Sequence, residues 1–154
     1  MYYLIILGLI IFDQISKFIV KRFMDIGESI GIIPGMLNIT YIQNRGAAFG
    51  MLQGRQLIFV FIGVVVVGYG LYFISRRDVS RIEKYSISLI LSGAVGNIID
   101  RLKDGFVTDF FDFKFIWDYI FNIADIYIVV GVIIYILNVV YKEMSLKKNM
   151  GNKN

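Results

Sequence analysis

Two aspartates, Asp109 in GFVTDFFDF and Asp125 in FNIAD, stand among aromatic and aliphatic residues with no cation close by in sequence. Sixteen residues of chain separate them, enough to bring both carboxylates to one place. Two carboxyl groups close together in a low-dielectric site cannot both ionise, so one keeps a proton while the other activates water. That is the machinery of an acid–base hydrolase. The chain has no histidine and no cysteine, which excludes Ser-His-Asp triads, thiol nucleophiles, disulfides and the usual zinc sites. Any general base is therefore Asp, Glu or Lys, and neither a metal nor a cofactor is expected. Asp125 has a plainer alternative as a helix cap. Asp112 and Asp118 read as solvated loop charges. A serine–lysine pairing of Ser16 or Ser92 with Lys17 or Lys103 is formally open as a rival chemistry.

Further polar residues lie inside apolar stretches, where a charge costs about 2.5 to 3.5 kcal/mol on insertion scales and so points to a function or a partner. Asp13 and Lys17 are four apart, on one helical face, and can pair with each other. Asn97, Asp100 and Arg101 recur at helical spacing below Gly93 and Gly96. The glycines suit close helix packing. Asp100 and Arg101 either neutralise each other, or Arg101, at the helix end facing the two aspartates, holds substrate carbonyls with its charged fork of donors.

The elements that must position these groups are membrane elements. Hydrophobic residues make up 57% and charged residues 18% of the 154, with one proline, against roughly 45–50% and about 25% in soluble domains. Four apolar runs, Tyr2–Val20, Leu57–Ile74, Tyr85–Ile99 (or to Leu102) and Phe121–Tyr141, approach the roughly 17 to 25 residues that cross a bilayer as helix. The expected fold is one all-α membrane domain, residues 1–154, with four transmembrane helices. Between the first two runs, about 25–55, Leu37, Ile39 and Tyr41 alternate with Asn38 and Thr40 after Pro34-Gly35, which predicts an extramembrane β-hairpin or small sheet. A polar tail covers about 147–154. The first run carries Asp13 and Lys17 at its centre and no small-residue cleavage site, unlike a cleaved signal peptide. Eight basic residues lie in the Arg76–Lys84 connection and the tail, against seven in the other two connections. That difference barely favours cytoplasmic termini. Basic membrane loops also account for the net charge of +4, so no nucleic-acid partner is expected.

Five short segments stand in order along the chain: DQISK, NRGAAFG, GAVGNIIDR, VTDF and FNIAD. Together, in this membrane context, they resemble the signature of the lipoprotein signal peptidases, or signal peptidase II, from Asp13 to Asp125. The resemblance implies an aspartic peptidase of the bacterial cytoplasmic membrane that removes signal peptides from prolipoproteins bearing a diacylglyceryl-modified cysteine. It implies Asp109 and Asp125 as the catalytic pair, with Asn44, Asn97, Arg101 and Asn122 lining the substrate groove and Asp13, Lys17 and Asp100 supporting it. Cytoplasmic termini, an active site near the outer leaflet and membrane lipids as surroundings follow from the same source; a monomer is expected. One departure is visible: many relatives carry a proline just before the last motif, and WDYIFNIAD has none. A proton-coupled transporter or a non-enzymatic assembly factor are the rival readings, and the short chain shows no inverted repeat to support the first.

Overall fold

The computed structural model of the chain describes residues 1–46, 56–114 and 119–151. Four helices and four strands follow in the order α1 (Tyr2–Phe23), β1 (Ser29–Ile33), β2 (Leu37–Asn44), α2 (Gln56–Ser75), α3 (Arg81–Lys103), β3 (Val107–Phe113), β4 (Ile120–Phe121) and α4 (Ile123–Gly151). Each apolar run forms a helix that extends beyond the run, α2 by only one residue at either end. α1 carries Lys21 and Arg22 into its last turn, where cations meet the negative end of the helix dipole. α4 continues through the polar tail to Gly151, so the segment expected as a tail from Lys147 is helical in its first part.

α1, α2 and α4 are long and apolar enough to cross a membrane among the described residues. Their outward faces are apolar. Phe12, Phe18, Leu57, Phe61 and Leu137 are each more than half exposed, a pattern that suits lipid and not water. The protein is embedded in a membrane. α3 is different in kind: it is 23 residues long and carries Glu83, Lys84, Asp100, Arg101 and Lys103, with Ser86, Ser88 and Ser92 buried. This helix packs against all three others, so neighbouring helices, not lipid, cover its polar face. Its serines donate back to Ile82, Lys84 and Ser88 carbonyls at 2.7–2.8 Å, which satisfies them inside the helix. Ser80 and Glu83 close a reciprocal capping box at its start. Gly93 and Gly96 make the packing possible, since a β-carbon on Gly93 would collide with the Ala124 carbonyl of α4 and one on Gly96 with the Asp13 carboxylate of α1.

The β element is larger than expected, and the chain is mostly helical, not all-α. One antiparallel sheet runs β1-β2-β3-β4, so half of it comes from the connection after α3. The reason is visible in the register. Asp109, Phe111, Asp112 and Phe113 lie opposite Ile42, Ile39, Asn38 and Leu37, which covers β2 with a strand that the dense aromatic sequence VTDFFDF did not signal by alternation. Between Ile39 and Ile42 the register shifts, and this bulge buries Thr40 and Tyr41 side by side, breaking the simple alternation expected there. Tyr41 packs with Val20 of α1 and Phe110 of β3. That cluster docks the sheet onto one end of the helices. Gly105, with φ of +75°, turns the chain from α3 into β3 in a conformation other residues resist.

Candidate active site

α4 opens on Asn122. Its side-chain Oδ1 accepts from the Asp125 N–H at 3.1 Å while the Asp125 carboxylate accepts from the Asn122 N–H at 3.2 Å, so the pair forms a reciprocal N-terminal cap. Both readings of Asp125 are therefore compatible in one residue: it caps the helix with Oδ2 and leaves Oδ1 for other partners. Capping also fixes Asn122 Nδ2, which donates to Asp109 Oδ1 at 2.6 Å and to Asn97 Oδ1 at 3.3 Å. One asparagine thus touches both aspartates, Asp125 through its backbone and Asp109 through its amide.

Asp109 comes from the middle of β3, opposite Ile42. Its second oxygen accepts from Asn44 Nδ2 of β2 at 2.9 Å. Asn97 of α3 donates Nδ2 to Asp125 Oδ1 at 2.8 Å. Four donors converge on two carboxyl groups. Asp109 is 1% exposed, whereas Asp125 is half-buried. Burial, reinforced by the charge of Asp125, pushes the Asp109 carboxyl up to about 7, against the opposing hydrogen bonds from Asn44 and Asn122. A carboxyl group so placed holds a proton near neutrality while a partly open one beside it meets solvent. Two carboxyl groups that feel each other's charge in a buried site favour sharing one proton.

Arg101, in the last turn of α3, does not pair with Asp100. Its guanidinium donates to the Asn97 carbonyl at 3.3 Å and the Gly46 carbonyl at 3.5 Å, and lies over the Phe59 ring. Its charge acts first on Asp125 and then on Asp109. The mutual neutralisation of Asp100 and Arg101 is ruled out by geometry, because adjacent helical residues do not face each other. We expect Arg101→Gln to slow turnover about tenfold, since a neutral amide replaces a charged fork, and equal rates at equal membrane abundance would refute it.

Asp13 and Lys17 pair at 2.9 Å as expected, and Lys17 also meets Asp100 at 3.0 Å. Asp112, expected in solvent, is instead buried on β3, accepting from Thr40 Oγ1 at 2.7 Å and pairing with Lys114 at 2.6 Å. Asp118 lies outside the described residues. Ser16 and Ser92 donate to the Asp13 and Ser88 carbonyls, so their hydroxyls serve the backbone while Lys17 serves carboxylates. Two residues escaped the sequence reading. Gln14 donates to Asp13, to Asp100 and to the Gly96 carbonyl; its place inside DQISK was the available signal. Tyr119, three residues before Asn122, lies near the pair, and burial with the charges of Asp125 and Asp109 pushes its phenol up to about 12.

A family model described as signal peptidase (SPase) II matches residues 5–141. The chain belongs to the signal peptidase II family. A lipoprotein signal peptidase of Clostridioides difficile (strain 630) is 44% identical over 144 residues, 93% of this chain and 97% of that protein. One from Fusobacterium nucleatum is 41% identical over 142 residues, covering 91% of this chain and 86% of that protein. A bacterial membrane enzyme solved by the in meso method at 2.3 Å resolution superposes with a TM-score of 0.82 at 38% identity, covering 99% of this chain and 91% of that chain. A second, at 1.9 Å resolution, gives a TM-score of 0.81 at 39% identity over 90% of this chain and 91% of that chain. The likeness to the two solved enzymes extends over nine-tenths or more of this chain.

Proposed function

We propose that the chain is an aspartic endopeptidase that removes the signal peptide from diacylglyceryl-modified prolipoproteins, with Asp109 and Asp125 as its catalytic pair. The observation that carries this reading is the shared donor Asn122, which joins one aspartate on the sheet to another at a helix start. Asp109 enters the reaction protonated and gives its proton to the scissile carbonyl oxygen. Asp125 takes a proton from water as the water oxygen attacks the carbonyl carbon. The resulting gem-diol collapses: the C–N bond breaks, Asp125 returns its proton to the leaving nitrogen, and a diol hydroxyl returns one to Asp109. No covalent intermediate is needed, which suits a chain without cysteine or histidine.

α3 is the fourth crossing in this reading, because 23 residues of helix reach about 34 Å and a hydrocarbon core is about 30 Å thick. The start of α4, the end of α3 and the sheet share one end of the bundle, while the Arg76–Lys84 connection and the basic end of α4 belong to the other. Placing the basic end in the cytoplasm of a bacterial cell sets the aspartates near the outer leaflet of its cytoplasmic membrane. There a substrate anchored by acyl chains presents its cleavage site at the headgroup boundary and diffuses in two dimensions. Neither a transporter nor an assembly factor needs two aspartates sharing one donor.

The test is a pair of precursors, one lipidated and one not, incubated with the enzyme in bilayer vesicles. We expect the lipidated precursor to be cut at least tenfold faster. Equal cleavage of both would point to a general signal peptidase and reject the lipid-dependent reading.

A further inference from the structure

Lys17 is 1% exposed and has three acceptors: Asp13 at 2.9 Å, Asp100 at 3.0 Å and Asn97 Oδ1 at 2.9 Å. An ammonium has three N–H donors, and here all three are used. Each acceptor then leads to the candidate catalytic pair. Asp13 Oδ1 accepts from the backbone N–H of Ala124, the residue before Asp125, at 3.1 Å. Asp100 Oδ2 accepts from the backbone N–H of Thr108, the residue before Asp109, at 3.2 Å. Asn97, with its oxygen held by Lys17, turns its amide nitrogen to Asp125 at 2.8 Å. Gln14 ties Asp13, Asp100 and the Gly96 carbonyl together from the side.

The geometry assigns Lys17, Asp13 and Asp100 as positioning residues that set the spacing of Asp109 and Asp125 by gripping the peptide unit immediately before each. This rests on the catalytic assignment of the two aspartates and deepens it. Two physical points carry it. The residue preceding each aspartate is itself fully buried, Thr108 and Ala124 both being 0% exposed, so neither peptide can move without moving its carboxylate. And a buried charge cluster is a poor source of net stability, since an apolar cluster of equal volume often does as well. Its retention at this depth is explained by what it holds. Misplacement of a reacting group by about 1 Å can cost on the order of a hundredfold in rate, so loss of one grip is read in turnover before it is read in substrate binding.

Asp100→Leu and Asp100→Asn separate the roles. The leucine removes the acceptor for the Thr108 N–H, while the asparagine keeps an oxygen for it and leaves Lys17 paired with Asp13. Full-length variants are assayed in vesicles on lipidated precursor, at a temperature well below each melting midpoint, with Asp109→Asn and Asp125→Asn beside them. We expect Asp100→Leu to lose about thirtyfold in kcat with KM within threefold of wild type, and Asp100→Asn to restore at least tenfold of that loss. If Asp100→Leu does not fold, Lys17→Gln/Asp100→Asn, which keeps the net charge of the cluster, replaces it with an expected loss of about tenfold in kcat. A folded leucine or double variant within threefold of wild type overturns the assignment. So does a loss that follows only the folded fraction, or an Asp100→Asn as impaired as the leucine. Activity surviving in Asp109→Asn or Asp125→Asn would instead reject the catalytic pair itself.

Discussion

Asp109→Asn and Asp125→Asn should each lower kcat by at least a thousandfold on lipidated precursor while leaving the protein folded in the membrane. The amide is nearly isosteric with the carboxyl group, so the hydrogen bonds that Asn44 and Asn122 donate to Asp109 keep an acceptor oxygen. What disappears is the titrating proton. Losing a group that acts as acid or base in the transition state removes about 10²- to 10⁴-fold by itself, and here each group acts twice. Cleavage by either purified variant within a hundredfold of wild type would reject the assignment. Stability should respond in the opposite sense for Asp109. Its folded pKa of about 7 lies above the unfolded value of about 3.9, so the folded state binds the extra proton between those limits. Stability tied to this group is complete below about pH 4 and is lost as pH rises through about 7. Asp109→Asn cannot ionise, so it should melt above wild type at pH 8, and the difference should vanish towards pH 4. A thermal melt series across that range checks it.

Turnover of the wild-type enzyme should fall about fiftyfold between pH 7 and pH 9 at saturating lipidated precursor. The cause is the same proton. With Asp109 near pH 7, each further unit of pH leaves about a tenth as much of the pair carrying one proton, the form that can both donate to the carbonyl and accept from water. The ionisation belongs to the pair as a whole, so the limb should be displaced when Arg101, whose charge acts on both aspartates, is replaced by Gln. A flat profile from pH 6 to 9, with the protein shown intact by its melt, would mean that the step seen by kcat does not use this proton.

How much of this was legible in the sequence depended on whether the signal was local. Four helices came from four apolar runs, and the Asp13–Lys17 pair came from spacing of four on one face. Asp125 could be placed at a helix start because it stands at the head of the last apolar run. The second half of the sheet was not legible: VTDFFDF carries Asp109 on one face and Thr108 and Asp112 on the other, all three buried, so no polar–apolar alternation marks it as a strand. For the same reason Asp112 was read as a loop charge; its partner Thr40 lies seventy-two residues away. For Asp100 the sequence offered only its neighbour Arg101 as a possible cation, when its cation is Lys17, from another helix. The paired grips on Ala124 and Thr108 had no local signature at all, because backbone donors leave no mark in a sequence.

α3 also bears on how the protein is made. Glu83 pairs with Lys142 of α4 at 2.8 Å and Asp100 with Lys17 of α1 at 3.0 Å, so acidic groups at the two ends of α3 find their cations on different helices. Alone in a bilayer, such a helix would carry unpaired carboxylates and buried hydroxyls into hydrocarbon, each charge costing about 2.5 to 3.5 kcal/mol on insertion scales. If α3 is the fourth crossing, its stable residence there depends on α1, made earlier, and α4, made afterwards. During biogenesis the half-made chain therefore holds its most polar helix with only part of its company until α4, which follows it in the chain, completes the packing around α3 and brings in Asp125. A chain made only as far as α3 would lack both the Lys142 partner of Glu83 and Asp125.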